Sequence, residues 1–171
     1  MENIILTGYM GCGKTTVGKN IAKLTGYTFV DTDEMIVKQQ GRSINQIFAT
    51  EGEQAFRDME TQLLSRLVAG KSDRLVISTG GGMPVREENR QLLSKLGRVV
   101  YLKASPLTIY NRTKDDTTRP LLQCEDPMKR IGEMIAVREP LYEEGASVVV
   151  DVNELRQSEA ADEIIRKCKV Q

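Results

Sequence analysis

Apolar positions along the chain fall into two alternating patterns. Short uninterrupted apolar or β-branched runs occupy residues 3–7, 28–30, 75–78, 98–102 and 147–150. Strands covered on both faces read this way, because neither face has to meet water. Between these runs lie longer amphipathic or charged segments at 14–24, 33–40, 43–49, 51–68, 87–96, 107–111, 127–142 and 155–169, which predict helices. Strand alternating with helix predicts a doubly wound, three-layer α/β domain around a parallel sheet. No repeat, low-complexity stretch or Pro/Gly-rich linker divides the chain, so residues 1–171 are expected to form one domain. Residues 113–126 are rich in charge and threonine and interrupted by Pro120. A loop of that length in a small domain is usually functional, and a mobile lid is expected here.

Composition removes several kinds of chemistry. Lysine plus arginine equals aspartate plus glutamate, 24 against 24, so there is no basic excess to neutralise a run of nucleic-acid phosphates. The chain has no histidine, which excludes histidine bases, Ser/His triads and histidine metal sites. Catalysis falls to carboxylates, lysine, arginine, backbone amides or a bound ion. Cys12, Cys124 and Cys168 are odd in number and widely spaced, which suits a reducing cytoplasm rather than a disulfide framework or metal knuckle. The first apolar run is far shorter than a signal-peptide core or a membrane span of about 20 residues, so the chain reads as soluble, untargeted and without a membrane partner.

The first predicted strand runs directly into Gly8-Tyr9-Met10-Gly11-Cys12-Gly13-Lys14-Thr15, which satisfies GxxxxGK[ST] and opens a helical pattern through Val17, Ile21 and Leu24. Such a loop wraps phosphates with inward-pointing N–H groups, in conformations that side chains would obstruct. The helix N-terminus adds partial positive charge. Lys14 can reach the β- and γ-phosphates of ATP, and the Thr15 hydroxyl can coordinate magnesium. Lys14 is expected to be exposed when the site is empty. Cys12 occupies a free position of the loop and needs no role of its own.

A phosphate loop alone does not name an acceptor. The second strand ends in Asp31-Thr32-Asp33, placing carboxylates at the edge of the sheet where open α/β folds bind ligands. Asp31 could hold magnesium through water, and Asp33 could orient or deprotonate an acceptor hydroxyl. Asp31 or Thr32 could instead simply cap the next helix. After the third strand, Gly80, Gly81 and Gly82 allow a ligand close to the backbone, and the metal-binding aspartate usual on that strand is absent. Arg57 and Glu60 are spaced to pair on one helix face. Arg119 lies in the expected lid and Arg138 in a later helix; arginine is the side chain best shaped to grip a carboxylate or phosphate.

Five ordered elements together resemble the shikimate kinase family over nearly the whole chain: Gly11-Cys12-Gly13-Lys14-Thr15-Thr16, Asp31-Thr32-Asp33, Phe56-Arg57-Asp58-Met59-Glu60, Gly80-Gly81-Gly82, and Arg119-Pro120-Leu121-Leu122 followed by Arg138-Glu139-Pro140-Leu141-Tyr142. The resemblance implies a five-stranded parallel sheet in order 2-3-1-4-5, a shikimate-binding region at about residues 33–60 and a lid at about 113–126. It implies ATP-dependent phosphorylation of the 3-hydroxyl of shikimate, a step of aromatic amino acid biosynthesis, with magnesium as cofactor; the chain is expected to act as a monomer on small molecules. Asp33, Arg57, Gly80, Gly81, Gly82 and Arg138 would bind shikimate, the two arginines holding its carboxylate. Lys14 and Arg119 would stabilise the transferring phosphoryl group, with Gly11, Cys12, Gly13, Thr15 and Thr16 around the phosphates and Arg112 near adenine. Two departures stand out: GKTT replaces the commoner GKST, and residues 150–156 lack the expected proline beside the purine. Among rivals, a gluconate or nucleoside monophosphate kinase is disfavoured by arginines suited to an acid and by few aromatic stacking surfaces. An idle nucleotide-binding domain is disfavoured by the complete set of Lys14, Thr15, Asp33 and Arg119.

Overall fold

A computed structural model describes residues 2–118 and 123–170. The apolar runs form five strands: β1 Asn3–Thr7, β2 Thr28–Asp31, β3 Leu75–Ser78, β4 Gly97–Lys103 and β5 Val148–Asp151. All neighbours pair in parallel, in the order β2-β3-β1-β4-β5. The helices are α1 Lys14–Thr25, α2 Thr32–Gln40, α3 Ile44–Glu51, α4 Glu53–Ala69, α5 Glu87–Leu96, α6 Pro106–Thr113, α7 Pro127–Gly145 and α8 Gln157–Cys168. A 3₁₀ turn, Met83–Val85, follows the glycine triplet.

Every residue of β1 is buried, which is why its sequence shows no polar alternation. Ile4 and Leu6 join the core shared with α1 and α8, through Val17, Ile21, Ala160 and Ile164. Ile5 points to the opposite core with Leu64, Ile77 and Leu93. A third cluster, Ile36, Ile47, Phe56 and Leu63, ties α2, α3 and α4 together beside the end of β2. These helices therefore form a packed wall at the C-terminal edge of the sheet.

The expected helix at 51–68 begins later. Glu51 ends α3, Gly52 turns with φ +85°, and α4 starts at Glu53. That φ is open to glycine and strained for other residues. The preceding start is well specified: Ser43 and Gln46 form a reciprocal capping box. α7 continues past the expected 142 to Gly145 with Pro140 inside it, and α8 begins at Gln157 rather than 155.

Buried Asn3 locks the other edge of the sheet. Its amide donates to Ser72 O at 2.8 Å and Leu96 O at 2.9 Å, and its Oδ1 accepts from Leu75 N at 2.9 Å. One side chain thus joins the starts of β1, β3 and β4. Asn3→Ala would leave three backbone groups short of partners, and a loss of about 2–4 kcal/mol is expected. Urea unfolding checks this; an unchanged midpoint would contradict it.

Candidate active site

The ends of β1, β2 and β3 bring two clefts together at the C-terminal edge of the sheet. One, of about 480 Å³, is lined by Lys14, Thr15, Thr16, Asp31, Arg112 and Gln157, among others. The second, of about 760 Å³, is lined by residues including Arg57, Glu60, Gly82 and Arg138. Met10, Asp33, Gly80 and Gly81 belong to the walls of both, so this is where the two meet.

In the phosphate loop, Gly11 and Gly13 have φ of +77° and +99°. Those conformations carry the chain round into α1. Gly11 is also pressed against the Thr113 side chain, leaving no space for a Cβ. Lys14 departs from expectation. It is only 9% exposed, its Nζ donating to Gly8 O at 2.7 Å and Tyr9 O at 3.1 Å. The ammonium has folded onto two loop carbonyls, and Cys12 Sγ lies 3.8 Å from it. Cys12, alone among residues 11–16, does not line the cleft. Its side chain is buried and its N–H donates to Tyr9 O at 3.2 Å. Arg112 bridges two loops, with Nη1 donating to Cys12 O at 3.0 Å and Nη2 to Val152 O at 3.3 Å. Gln157, which sequence reasoning did not single out, lines the same cleft where a proline had been sought nearby in sequence.

In the Asp31-Thr32-Asp33 segment the capping reading is realised, and the two aspartates expected to act on ligands both line the cleft. Asp31 caps α2, its Oδ1 accepting from Asp33 N at 2.9 Å and Glu34 N at 3.1 Å, and it also lines the nucleotide-side cleft. Thr32 is fully buried and its Oγ1 accepts from Gly80 N at 3.1 Å. Magnesium asks for one or two protein oxygens and takes the rest from phosphates and water. Exposed Thr15 and half-buried Asp31, both on this cleft, fit that need. No group of three or more His, Cys, Asp or Glu side chains suited to a metal occurs among the described residues.

At the acceptor end the bare backbone of the glycine triplet is covered by charge. A Cβ on Gly80 would lie 2.7 Å from Asp33 Oδ1 and 3.2 Å from Glu60 Oε2; one on Gly82 would collide with the Arg57 guanidinium. Arg57 Nη1 pairs with Glu60 at 2.6 Å and Nη2 with Glu53 at 3.2 Å. Arg138 lies 5.8 Å from the Tyr9 ring centroid. Tyr142 donates to Gly81 O at 2.5 Å. Phe48 and Phe56 contribute an apolar wall, their ring centroids 5.1 Å apart. Arg119 lies outside the described residues, as do three further positions of the expected lid, 120–122.

The assembled site joins a phosphate loop to a second cleft lined by arginines, carboxylates and glycine backbone. The family model described as shikimate kinase matches residues 10–169. The chain belongs to the shikimate kinase family. A curated shikimate kinase from Thermodesulfovibrio yellowstonii is 46% identical, the match covering 98% of this chain and 95% of that relative. One from Dechloromonas aromatica is 44% identical over 97% and 90%. Among solved structures, a shikimate kinase from Acinetobacter baumannii in complex with shikimate superposes with a TM-score of 0.90 at 39% identity, covering 98% of this chain and 92% of that one. A gluconokinase from Sinorhizobium meliloti, at 20% identity and a TM-score of 0.60, shares the fold.

For this shikimate kinase family member, Glu60 couples the site to pH. It is fully buried, and its Oε2 has no hydrogen-bond partner among the described residues. Burial raises its carboxyl to about 7, against the opposing charge of Arg57 and with the added repulsion of Asp33. The folded state therefore holds this proton more tightly than the unfolded chain. The associated stability is present below the ordinary value of 4.5 and is lost as pH rises through about 7. The difference is worth on the order of 3 kcal/mol. Urea unfolding of wild type and Glu60→Gln between roughly pH 5 and 8 is expected to show a falling contribution in wild type that the variant lacks; parallel pH profiles would contradict it.

Proposed function

We propose that this protein transfers the γ-phosphoryl group of ATP to the 3-hydroxyl of shikimate, giving shikimate 3-phosphate and ADP. The single observation that carries this reading is the acceptor cleft, where Asp33, Arg57 and Arg138 surround the bare glycine backbone at 80–82. A carboxylic acid bearing hydroxyls fits such a pocket: guanidinium groups take the carboxylate and a carboxylate takes a hydroxyl.

In the proposed reaction, Asp33 orients the acceptor hydroxyl and accepts its proton as the oxygen bonds to the γ-phosphorus. The bond from that phosphorus to the β,γ-bridging oxygen breaks and ADP leaves with its electron pair. Lys14 leaves Gly8 O and Tyr9 O to engage the β- and γ-oxygens, where charge-assisted bonds replace bonds to neutral carbonyls. The loop amides and the α1 N-terminus hold the phosphates. Thr15 and Asp31 would hold magnesium, which when bound neutralises charge on the phosphate oxygens. Arg112 and Gln157 flank the nucleotide beyond the loop. Arg119, by its motif, is assigned to the phosphoryl group.

A coupled assay of ADP release with shikimate, gluconate and AMP offered separately tests the substrate; turnover confined to gluconate or AMP would overturn it. Asp33→Asn is expected to lower kcat by on the order of 10² to 10⁴ while ATP binding persists, and near-normal turnover would refute the assigned role. Arg57→Lys or Arg138→Lys keeps charge but loses the planar two-bond grip. The KM for shikimate is then expected to rise roughly ten-fold, whereas Arg119→Ala is expected to act on kcat. Steady-state kinetics with each substrate varied in turn separates these effects.

A further inference from the structure

α7 presents a row of side chains to the acceptor cleft. Arg130, Met134 and Arg138 recur every four residues, close to one helical turn, and all three line its wall. Arg138 is half-buried near the Tyr9 ring, and the Met134 sulfur accepts from the Tyr9 hydroxyl at 3.5 Å. Both members are thereby held in register. Arg130, at the outer end, is exposed, and its guanidinium has no ion pair or hydrogen bond among the described residues.

Local charge makes that arginine consequential. The described charged side chains of the cleft are Asp33, Glu53 and Glu60 against Arg57, Arg130 and Arg138. Arg57 is already matched to Glu53 and Glu60. With Glu60 ionised, as it is above about pH 7, these groups without Arg130 would carry a net negative charge, and an anionic acceptor would enter against a repulsive field. The overall balance of 24 basic and 24 acidic residues offers no compensating long-range attraction.

We infer that Arg130 is a specificity residue for the anionic acceptor, engaging its carboxylate at the mouth of the cleft and drawing it toward Arg57 and Arg138. The inference rests on the acid-kinase reading above. Because Arg130 is exposed, its attraction is screened by salt, with a Debye length of about 10 Å at 0.1 M. Its contribution falls on capture of the acid and leaves the chemical step and ATP binding alone.

The test is steady-state kinetics of the full-length protein with shikimate varied at saturating ATP, at about 20 mM and about 500 mM potassium chloride, for wild type, Arg130→Gln and Arg130→Lys. At low salt Arg130→Gln is expected to raise the KM for shikimate roughly three- to ten-fold. The kcat and the KM for ATP should stay near wild type, and the gap should close at high salt. Arg130→Lys, which retains the charge, should recover most of the loss. A glutamine variant within about two-fold of wild type at low salt overturns the inference, as does a rise of equal size at both salt concentrations. A wild-type protein with no shikimate turnover removes the parent reading, an outcome distinct from an active wild type that the variant matches.

Discussion

The acceptor end of this protein depends on backbone kept bare at the glycine triplet. Space that Cβ atoms would occupy at Gly80 and Gly82 is filled by Asp33, Glu60 and Arg57, delivered from α2 and α4. Charged groups brought this close to a loop lose water, and only mutual pairing offsets that loss. Arg57 supplies it for Glu60, whose carboxyl is still raised by burial against that charge. Three glycines in sequence also carry a large conformational entropy cost. The fold meets it with clamps from three helices: Thr32 holds Gly80 N, Tyr142 holds Gly81 O, and Asn89 holds Met83 O at 2.9 Å. Arg90 then takes the carbonyls of Pro84 and Val85. The triplet is thus fixed from behind by hydrogen bonds and faced in front by the charged groups of Asp33, Glu60 and Arg57.

The nucleotide end is organised differently. Its loop is shaped by glycine conformations and tied down by Arg112, which reaches both Cys12 O and Val152 O. Its principal cation is turned inward, Lys14 resting on Gly8 O and Tyr9 O. Those bonds give a buried ammonium partners when no phosphate is present, avoiding the penalty of an unsatisfied charge. In the proposed reaction phosphate oxygens would offer stronger, charge-assisted bonds, which would favour exchange of Lys14 from carbonyl to phosphate.

Most of the architecture was legible because it rests on local pattern. Continuous apolar runs marked all five strands, and GxxxxGK[ST] after the first of them placed the phosphate loop. The Asp31-Thr32-Asp33 ambiguity could not be resolved at that level, since Asp31 caps α2 with one oxygen and still faces the cleft, whereas Thr32 serves the glycine backbone. Lys14 was read as exposed because its burial depends on where loop carbonyls point, a property of backbone conformation rather than residue type. Helix boundaries shifted where a single glycine, Gly52, turned the chain between α3 and α4. Arg130 was missed for a related reason. An arginine at a surface position carries no compositional signal, and its four-residue spacing from Met134 and eight-residue spacing from Arg138 acquires meaning only once that face of α7 is known to line the cleft.

Recognition of an anion by a chain with no net charge has to be achieved locally. The three described arginines of the cleft occupy distinct electrostatic settings. Arg57 is bound to two carboxylates, so its remaining attraction for a ligand is reduced while its geometry is fixed. Arg138 lies beside an aromatic face, which stabilises the cation without cancelling its charge. Arg130 stands in solvent, where charge acts at longer range but is readily screened. Moving inward along this series, attraction gives way to positioning. An acid entering the cleft would first meet an exposed, hydrated charge and then half-buried, partnered ones, with most of its water removed only where Asp33 and the glycine backbone can replace the lost hydrogen bonds. Charge placed only at the deep end would demand that desolvation before any attraction was felt; charge placed only at the mouth would hold the acid away from the phosphoryl group.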